Sequence, residues 1–125
     1  MAESKITKSE YRKLLWSNPH PGYWGTDNIV LSSSDYSELE VVFTTTNDSD
    51  ATRLHIKYSK GRDIRLLFCN VEDLAANTFI MSRHLNWINN TTYAPALGQI
   101  ARWGGQPESG VNYFVIPVEI YGIKY

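Results

Sequence analysis

Three short runs in the first half of the chain alternate apolar and polar side chains, and clusters of turn-forming residues separate them. The runs are SELEVVFTTT, ATRLHIKYS and DIRLLFCN, and the clusters between them are NDSDA and KGRD. Because successive side chains of a β-strand point to opposite faces, each run predicts a strand with one apolar face. Short turn clusters between successive strands predict that the three runs pair as an antiparallel meander.

The remainder of the chain also favours strands over helices. TFIMSRHLNWI is long enough for a helix, but its Thr, Phe and Ile residues favour a strand. Short strands are predicted near residues 29–31 and 99–103, and the closing run NYFVIPVEIYGIK predicts the last strand. Seven or eight strands with short connections and almost no helix predict an all-β fold, a single antiparallel β-sandwich of jelly-roll or Greek-key type.

The sequence predicts one domain with a short extension before it. The polar and charged residues 1–13 predict an N-terminal arm or a short helix at 8–15, and residues 14–125 predict the sandwich domain. Two prolines and two glycines exclude a regular element from the following segment, LLWSNPHPGYWG. Residues 71–77, VEDLAAN, predict a single turn.

The closing run contains two residues that disturb a regular strand. Pro117 lies at its centre, and because proline has no backbone N–H we expect an edge position, a bulge or a bend there. Gly122 allows a second kink or the close approach of another group. The run is the most apolar strand of the chain, so we expect it to complete the core from between strands formed earlier.

Charge and composition exclude some partners. The formal net charge is −1 and no basic stripe is present, so nucleic acid is not an expected partner. No apolar run approaches the roughly 20 residues of a membrane-spanning helix, and the N-terminus lacks the apolar segment of a secretory signal. We therefore expect a protein made in a cytosol and not inserted in a membrane. Cys69 is the only cysteine, and within IRLLFCN a buried, inert thiol is expected.

Patterns typical of catalysis or metal binding are absent from the sequence. The three histidines, His20, His55 and His84, are not spaced as metal ligands. Neither a phosphate-binding loop nor the nucleophile turn of the α/β-hydrolases is present. We therefore expect no metal, no cofactor and no enzymatic activity.

Two carboxylates provide the one enzymatic alternative. Glu38 and Glu40 lie on the same face of their predicted strand, as a glycosidase pair could. Arg53, His55 and Lys57 share one face of the next strand, so exposed opposite-charge pairs on a solvated sheet face explain the glutamates better. Loss of turnover in Glu38→Gln and Glu40→Gln variants would favour the enzymatic alternative.

An aromatic and amide-rich stretch is the candidate binding surface. The predicted glycan-binding residues are Trp87, Tyr93, Arg102 and Trp103. They lie close in sequence to amide and hydroxyl side chains, namely Asn89, Asn90, Thr91 and Gln106. Aromatic rings cover the apolar face of a sugar, and amides bind its hydroxyl groups. The alternative is that the tryptophans fill the core or a subunit interface.

Three segments of the chain, LWSNPHP, IVLSSSDYSELEVVF and VIPVEIYGIK, resemble a known family. The matching residues are Leu15, Trp16, Asn18, Pro19, Pro21, Leu31, Ser34, Asp35, Tyr36, Ile116, Pro117, Ile120, Tyr121, Gly122, Ile123 and Lys124. The segments resemble the small β-sandwich domains of tail-fibre and baseplate receptor-binding proteins from tailed phages and prophages. The resemblance extends from about residue 14 to residue 124, and the closing segment is its most specific part.

The resemblance implies a non-enzymatic virion protein, a receptor-binding head or an accessory protein, that is usually a homotrimer. The implied partners are further copies of the chain, other phage structural proteins and bacterial surface polysaccharide. The implied location is the virion, after synthesis in the bacterial host cytoplasm. The matched positions look like scaffold, so the resemblance assigns no binding residue. A free-standing carbohydrate-binding module outside a virion is the alternative function.

Overall fold

A computed structural model describes residues 12–20, 27–45, 48–58, 61–71, 78–111 and 113–124. These ranges contain ten strands and no helix. The strands are β1 (Arg12–Ser17), β2 (Ile29–Val30), β3 (Glu38–Thr45), β4 (Asp48–Lys57), β5 (Ile64–Asn70), β6 (Phe79–Asn89), β7 (Thr92–Pro95), β8 (Gly98–Arg102), β9 (Glu108–Gly110) and β10 (Val115–Ile123). Two antiparallel sheets pack together, which confirms the predicted β-sandwich, with more strands than the seven or eight expected.

The two sheets differ in how their strands are arranged. The first sheet has the order β1-β10-β3-β4. In the second sheet β6 is central, with β5 along one side and β7 and β8 along the other. The strand β2 extends this sheet beside β7, and β9 extends it beside β8. All pairings are antiparallel, so each sheet presents one face to the core and one to the surroundings.

The predicted three-stranded meander is wrong. β3 pairs with β4, but β5 pairs with β6 in the other sheet. The chain therefore passes from one sheet to the other between residues 58 and 63. Alternation indicates that a strand has one apolar face, but it does not indicate which sheet the strand joins, because a strand of either sheet can pack that face into the core of a sandwich. The turn predicted at NDSDA is also too long, since β4 already begins at Asp48.

The closing strand β10 lies inside its sheet, between β1 and β3, as the sequence predicted. Its register with β3 shifts between Pro117 and Glu119, which confirms a bulge at the proline. The bulge leaves Pro117 buried, in a position where no backbone donor is required. The residues buried between the sheets include Leu39, Val41, Phe43, Leu66, Met81, Leu85, Ile100, Val115 and Ile120.

The sequence did not predict β1. The sequence predicts an arm that includes residues 12 and 13 and irregular structure in the segment that follows. Residues 12–17 instead form a strand paired with β10. Only Leu15 is buried in this strand, so it lacks the alternation that marks a half-buried strand. The short helix predicted at 8–15 is wrong for residues 12–15, because their backbone is extended. Residues 1–11 lie outside the described ranges. The single turn predicted at VEDLAAN, residues 71–77, also lies outside them except for residue 71.

A charged residue fills a central core position on β6. The side chain of Arg83 is almost completely enclosed, with 1% of the residue exposed. Its guanidinium donates hydrogen bonds to four backbone carbonyls, those of Ala96 at 2.7 Å, Val111 and Tyr113 at 2.9 Å, and Val115 at 2.5 Å. Burial lowers the pKa of Arg83 to about 10, so the group keeps its charge at neutral pH. Arg83 therefore fixes the chain segment that leads into β10.

Candidate interaction surfaces

The four predicted glycan-binding residues do not form one surface. Tyr93 is buried in the core, and Trp87, its direct neighbour across β6 and β7, packs against the same core. Arg102 pairs with Phe79 at the other end of β6, and Trp103 follows it. The strand from residue 79 to residue 87 spans about 27 Å, which separates the two pairs. Trp87 and Tyr93 thus match the core alternative, whereas Trp103 is 59% exposed.

The indole nitrogen of Trp87 is the one buried side-chain polar atom in the described ranges without a hydrogen-bond partner. Its backbone N–H donates to Asp63 Oδ1 at 2.8 Å, so the strand around it is held in place. A buried indole N–H without an acceptor loses its hydrogen bond to water without replacement. This atom offers nothing to a sugar hydroxyl, because it faces the protein interior.

The outer face of the second sheet carries several exposed apolar side chains where β5, β6 and β8 lie side by side, with Ser82 and Gln99 between them. We call this surface the β5–β6–β8 face; it consists of Leu67, Cys69, Val71, Ile80, Ala101 and Trp103. Cys69, Ile80 and Ala101 are in register across the three strands. Exposure reaches 71% for Val71. Because adjacent positions on each strand are buried in the core, both faces of this part of the sheet carry apolar side chains.

Cys69 is exposed on this face, so the prediction of a buried thiol is wrong. The run IRLLFCN is apolar at positions of both parities, and Ile64 and Leu66 are the ones that turn to the core. Cys69 shares the outward parity with Leu67. The alternation in the sequence could not distinguish the two faces, because the outer face is also apolar.

A hollow of about 320 Å3 adjoins the β5–β6–β8 face. Ile80 and Ala101 belong to both the face and the hollow, and Pro107 and Ser109 form the opposite side of the hollow. Next to it, Arg102 forms an ion pair with Glu108, which joins β8 to the first residue of β9. The face and the hollow together form one surface in which apolar side chains alternate with polar ones, Ser82, Gln99, Glu108 and Ser109.

The outer face of the first sheet is charged instead. Glu40 on β3 lies at the centre of an ion cluster, with only 8% of its side chain exposed. Its Oε1 accepts hydrogen bonds from Arg12 Nε at 2.9 Å and from Arg53 Nη1 at 3.0 Å. His55 Nε2 lies 2.7 Å from Oε2 of the same carboxylate, and His55 Nδ1 lies 3.5 Å from Glu38 Oε1. Both oxygens of Glu40 are therefore occupied.

The predicted pairing of the glutamates of β3 with basic residues of β4 is confirmed, but the predicted exposure of Glu40 is wrong. In the register of the two strands Glu40 faces His55 and Glu38 faces Lys57. Burial raises the pKa of Glu40, but the hydrogen bonds from Arg12 and His55 and the nearby positive charges outweigh it, so the pKa lies below its usual value. The sequence could not reveal this burial, because Arg12 comes from the unpredicted strand β1.

The three segments that resemble the phage family contact one another. Asn18 from the first segment donates its side-chain amide to the carbonyl of Pro117 in the third, at 2.9 Å. Asp35 from the second segment forms an ion pair with Lys124 in the third, at 2.8 Å. A Cβ atom added to Gly122 would lie 2.5 Å from the ring of Tyr36. The matched residues thus connect β10 to the segments before β2 and β3 and stabilise the fold.

Replacing Gly122 with Ala is expected to lower the free energy of unfolding by about 1–2 kcal/mol. The added methyl group would displace the half-buried ring of Tyr36, which presses directly on the glycine. Urea unfolding monitored by circular dichroism would measure the effect.

In a Tyr36→Ala background the same substitution should cost much less, because the opposing ring is gone. Gly105→Ala is the control, since its new methyl group would make only ordinary contacts. Equal costs in both backgrounds would contradict the contact.

Within the described ranges, no group of three or more His, Cys, Asp or Glu side chains is placed to hold a metal ion. His55 belongs to the Glu40 cluster, and His84 stands beside Arg65 in the register of β5 and β6. No helix in that part of the chain has the length and apolar character needed to cross a membrane.

Comparison of the chain with protein-family models, with curated proteins and with solved structures found no match. The relationship to phage tail proteins therefore stays an expectation drawn from the three sequence segments. The described chain presents two contrasting outer faces: a charged one whose central carboxylate, Glu40, is paired, and one with exposed apolar side chains that nothing in the described chain covers.

Proposed function

We propose that the protein is a non-enzymatic structural or adhesion component of a phage or prophage virion, and that it works as a homo-oligomer. The observation that carries the proposal is the exposed β5–β6–β8 face. Large exposed apolar patches on soluble proteins mark surfaces that contact a partner. The partner on this face is a second copy of the chain.

The chemistry of the face favours contact between identical copies. Its six side chains carry no formal charge, so bringing two copies together opposes no like charges. The net charge of the whole chain is −1, which adds little repulsion between copies. The first sheet differs, because its outer face is covered by the Glu40 cluster and offers no comparable apolar area.

The shape of the surface favours a ring. Trp103 is 59% exposed, and the hollow beside Ile80 and Pro107 is a separate part of the same surface. Contact between Trp103 of one copy and the hollow of the next joins two different parts of that surface and is therefore head-to-tail, and such contacts form closed rings when the rotation allows. A trimer, the state implied by the family resemblance, is the smallest ring of this type.

The phage assignment is supported by the resemblance and by what its residues do. The matched segments are distant in sequence but contact one another around β10, and this common packing role supports the proposal. Detection of the chain by mass spectrometry in purified virions would support the assignment. Its absence from virions that carry all other tail proteins would overturn it.

Substituting Ile80 with Arg is expected to convert the oligomer to a monomer of 14.3 kDa. The charge would be buried without a partner at the centre of the β5–β6–β8 face. Multi-angle light scattering at micromolar concentration would measure the mass, and Trp103→Ala should weaken the same association. Val30→Arg is the matched control, since Val30 is 58% exposed against 49% for Ile80 and belongs to the same sheet but lies outside the face. A monomeric wild-type protein would overturn the proposed assembly.

A further inference from the structure

A second concave surface lies between the two sheets, where the chain passes from β4 to β5. We call it the end cleft; it encloses about 260 Å3. Its floor is apolar and accessible through the half-buried Ile56 and Tyr58, whereas its other apolar lining residues, Leu39, Ile64 and Tyr93, are almost completely enclosed in the core. Ligand sites typically combine such an apolar floor with a few polar groups at fixed positions. The end cleft shares no residue with the β5–β6–β8 face.

The rim of the end cleft is positively charged. It carries Lys57, Arg62 and Arg65, together with the single carboxylate of Asp63. That carboxylate accepts the backbone N–H of Trp87 at 2.8 Å, which fixes its position. In the described chain none of the three cations forms an ion pair, whereas the basic side chains of the other surfaces mostly do. The paired ones are Arg12, Arg53, Arg102 and Lys124.

The walls of the end cleft are held in place before any ligand binds. The backbone N–H of Tyr58 donates to the carbonyl of Ser37 at 3.0 Å, and its hydroxyl donates to the carbonyl of Asn90. These bonds connect the end of β4 to the segment before β3 and to the β6–β7 turn. Burial raises the pKa of Tyr93 to about 12 and also raises that of Tyr58, so both phenols are neutral and do not repel an anion.

We propose that the end cleft binds an anionic saccharide, carboxylated or phosphorylated. The apolar floor matches the C–H face of a sugar ring, and the guanidinium groups of Arg62 and Arg65 match a carboxylate or phosphate, which arginine can bind through two parallel hydrogen bonds. A small inorganic anion would use the rim and leave the floor uncovered. The proposal deepens the adhesion part of the proposed function and rests on it, but it uses a separate surface.

The size of the site indicates how the saccharide lies. The end cleft is slightly smaller than the roughly 300 Å3 at which drug-sized pockets begin, which suits one sugar ring. An adjoining depression of about 420 Å3 shares Arg62, Asp63 and Arg65 with it. A polymer therefore places one ring on the floor and continues across the basic rim.

Titration of the full chain with two charged and two neutral probes would test the proposal. Trigalacturonic acid and glucose 6-phosphate represent the carboxylated and phosphorylated classes, and maltotriose and glucose are their neutral counterparts. NMR amide shifts would report binding near residues 57–65. At least one charged probe should bind, its affinity should fall as salt increases, and the neutral sugars should bind at least about tenfold more weakly, the equivalent of about 1.4 kcal/mol.

The variant Arg62→Gln/Arg65→Gln should weaken binding of the charged probe about tenfold, because the charged hydrogen bonds are lost. Lys13→Gln is a control with one cation removed, to be compared with Lys57→Gln: it removes an exposed cation from β1, at the edge of the first sheet opposite β4. Lys57→Gln is a second rim variant. Circular dichroism would verify that each variant keeps the wild-type spectrum.

Three results would overturn the proposal: neither charged probe binds, neutral sugars bind as tightly, or the double variant binds as well as the wild type. Which charged probe binds distinguishes a carboxylated from a phosphorylated receptor. Light scattering on the same samples separates this proposal from the proposed assembly. A protein that is oligomeric but does not bind overturns the end-cleft site alone, and a monomer that binds overturns the assembly alone.

Discussion

Replacing Arg83 with Met is expected to lower the free energy of unfolding by about 3–5 kcal/mol, because the carbonyls that it binds lose their donor, at about 1–3 kcal/mol for each one left buried without a partner. The substitution keeps most of the side-chain volume but leaves the carbonyls of Ala96, Val111, Tyr113 and Val115 without their donor. Buried carbonyls that have lost both water and a donor are costly. Urea unfolding followed by circular dichroism would measure the change.

Arg65→Met is the matched control for this experiment. Arg65 lies on β5 beside β6, but its side chain is exposed, and it has no ion pair in the described chain. The same substitution there should change the free energy of unfolding by less than about 0.5 kcal/mol. Arg83→Lys should fall between the two, since an ammonium cannot reach four carbonyls in the planar arrangement of a guanidinium. Equal stabilities for the two methionine variants would contradict the role assigned to Arg83.

Alternation in the sequence was sufficient to predict the class of fold. The sequence pattern identified β2, β3, β4, β5, β6, β8 and β10, and of the edge position, bulge or bend expected at the proline in β10 the structure has the bulge. It failed where the strand was too short or too exposed to alternate. β1 buries only Leu15, and β7 and β9 have four and three residues. Such strands form because a neighbouring strand pairs with them, and one sequence contains little record of that pairing.

The partner of a strand was harder to predict than its existence. β4 and β5 are separated by a short turn cluster, which usually indicates a hairpin, yet they belong to different sheets. Arg83 was a signal that could have been used. It occupies the inward position in the series Phe79, Met81, Arg83, Leu85, Trp87, where a charge requires many hydrogen-bond acceptors from other segments.

The candidate surfaces were predictable only in part. The exposed indole of Trp103 was identified from its residue type, but its partners on β5 and β6 come from the sheet pairing. Trp87 and Tyr93 have the same aromatic character and lie in the core, because residue type does not specify which face of a strand is inward. The cations of the end cleft, Arg62 and Arg65, are adjacent in sequence, but the apolar floor beneath them needs both sheets to be assembled.

Replacing Glu40 with Gln is expected to lower the free energy of unfolding by about 2–3 kcal/mol at pH 7, because charged hydrogen bonds are lost in a partly buried site. Arg12, Arg53 and His55 all contact this carboxylate, and Arg12 also lies over the ring of Tyr121. The isosteric amide keeps the volume but presents N–H groups to donors. Glu108→Gln is the control, since the exposed pair with Arg102 should contribute less than about 1 kcal/mol.

The cost of Glu40→Gln should depend on pH in one direction. The folded-state pKa of Glu40 lies below the ordinary glutamate value of about 4.3, so the folded state binds that proton less tightly than the unfolded state. The carboxylate therefore contributes its full stability above about pH 4.5, and the contribution is lost as the pH falls through the folded pKa. Asp35 also has a lowered pKa, through its hydrogen bond to Lys124, but it is present in both proteins and cancels in the difference. Urea unfolding at pH 7, 5, 4 and 3 should show a difference between wild type and variant that shrinks as the pH falls below about 5. A difference of the same size at pH 3 as at pH 7 would mean that the cost comes from packing around residue 40 and not from its charge.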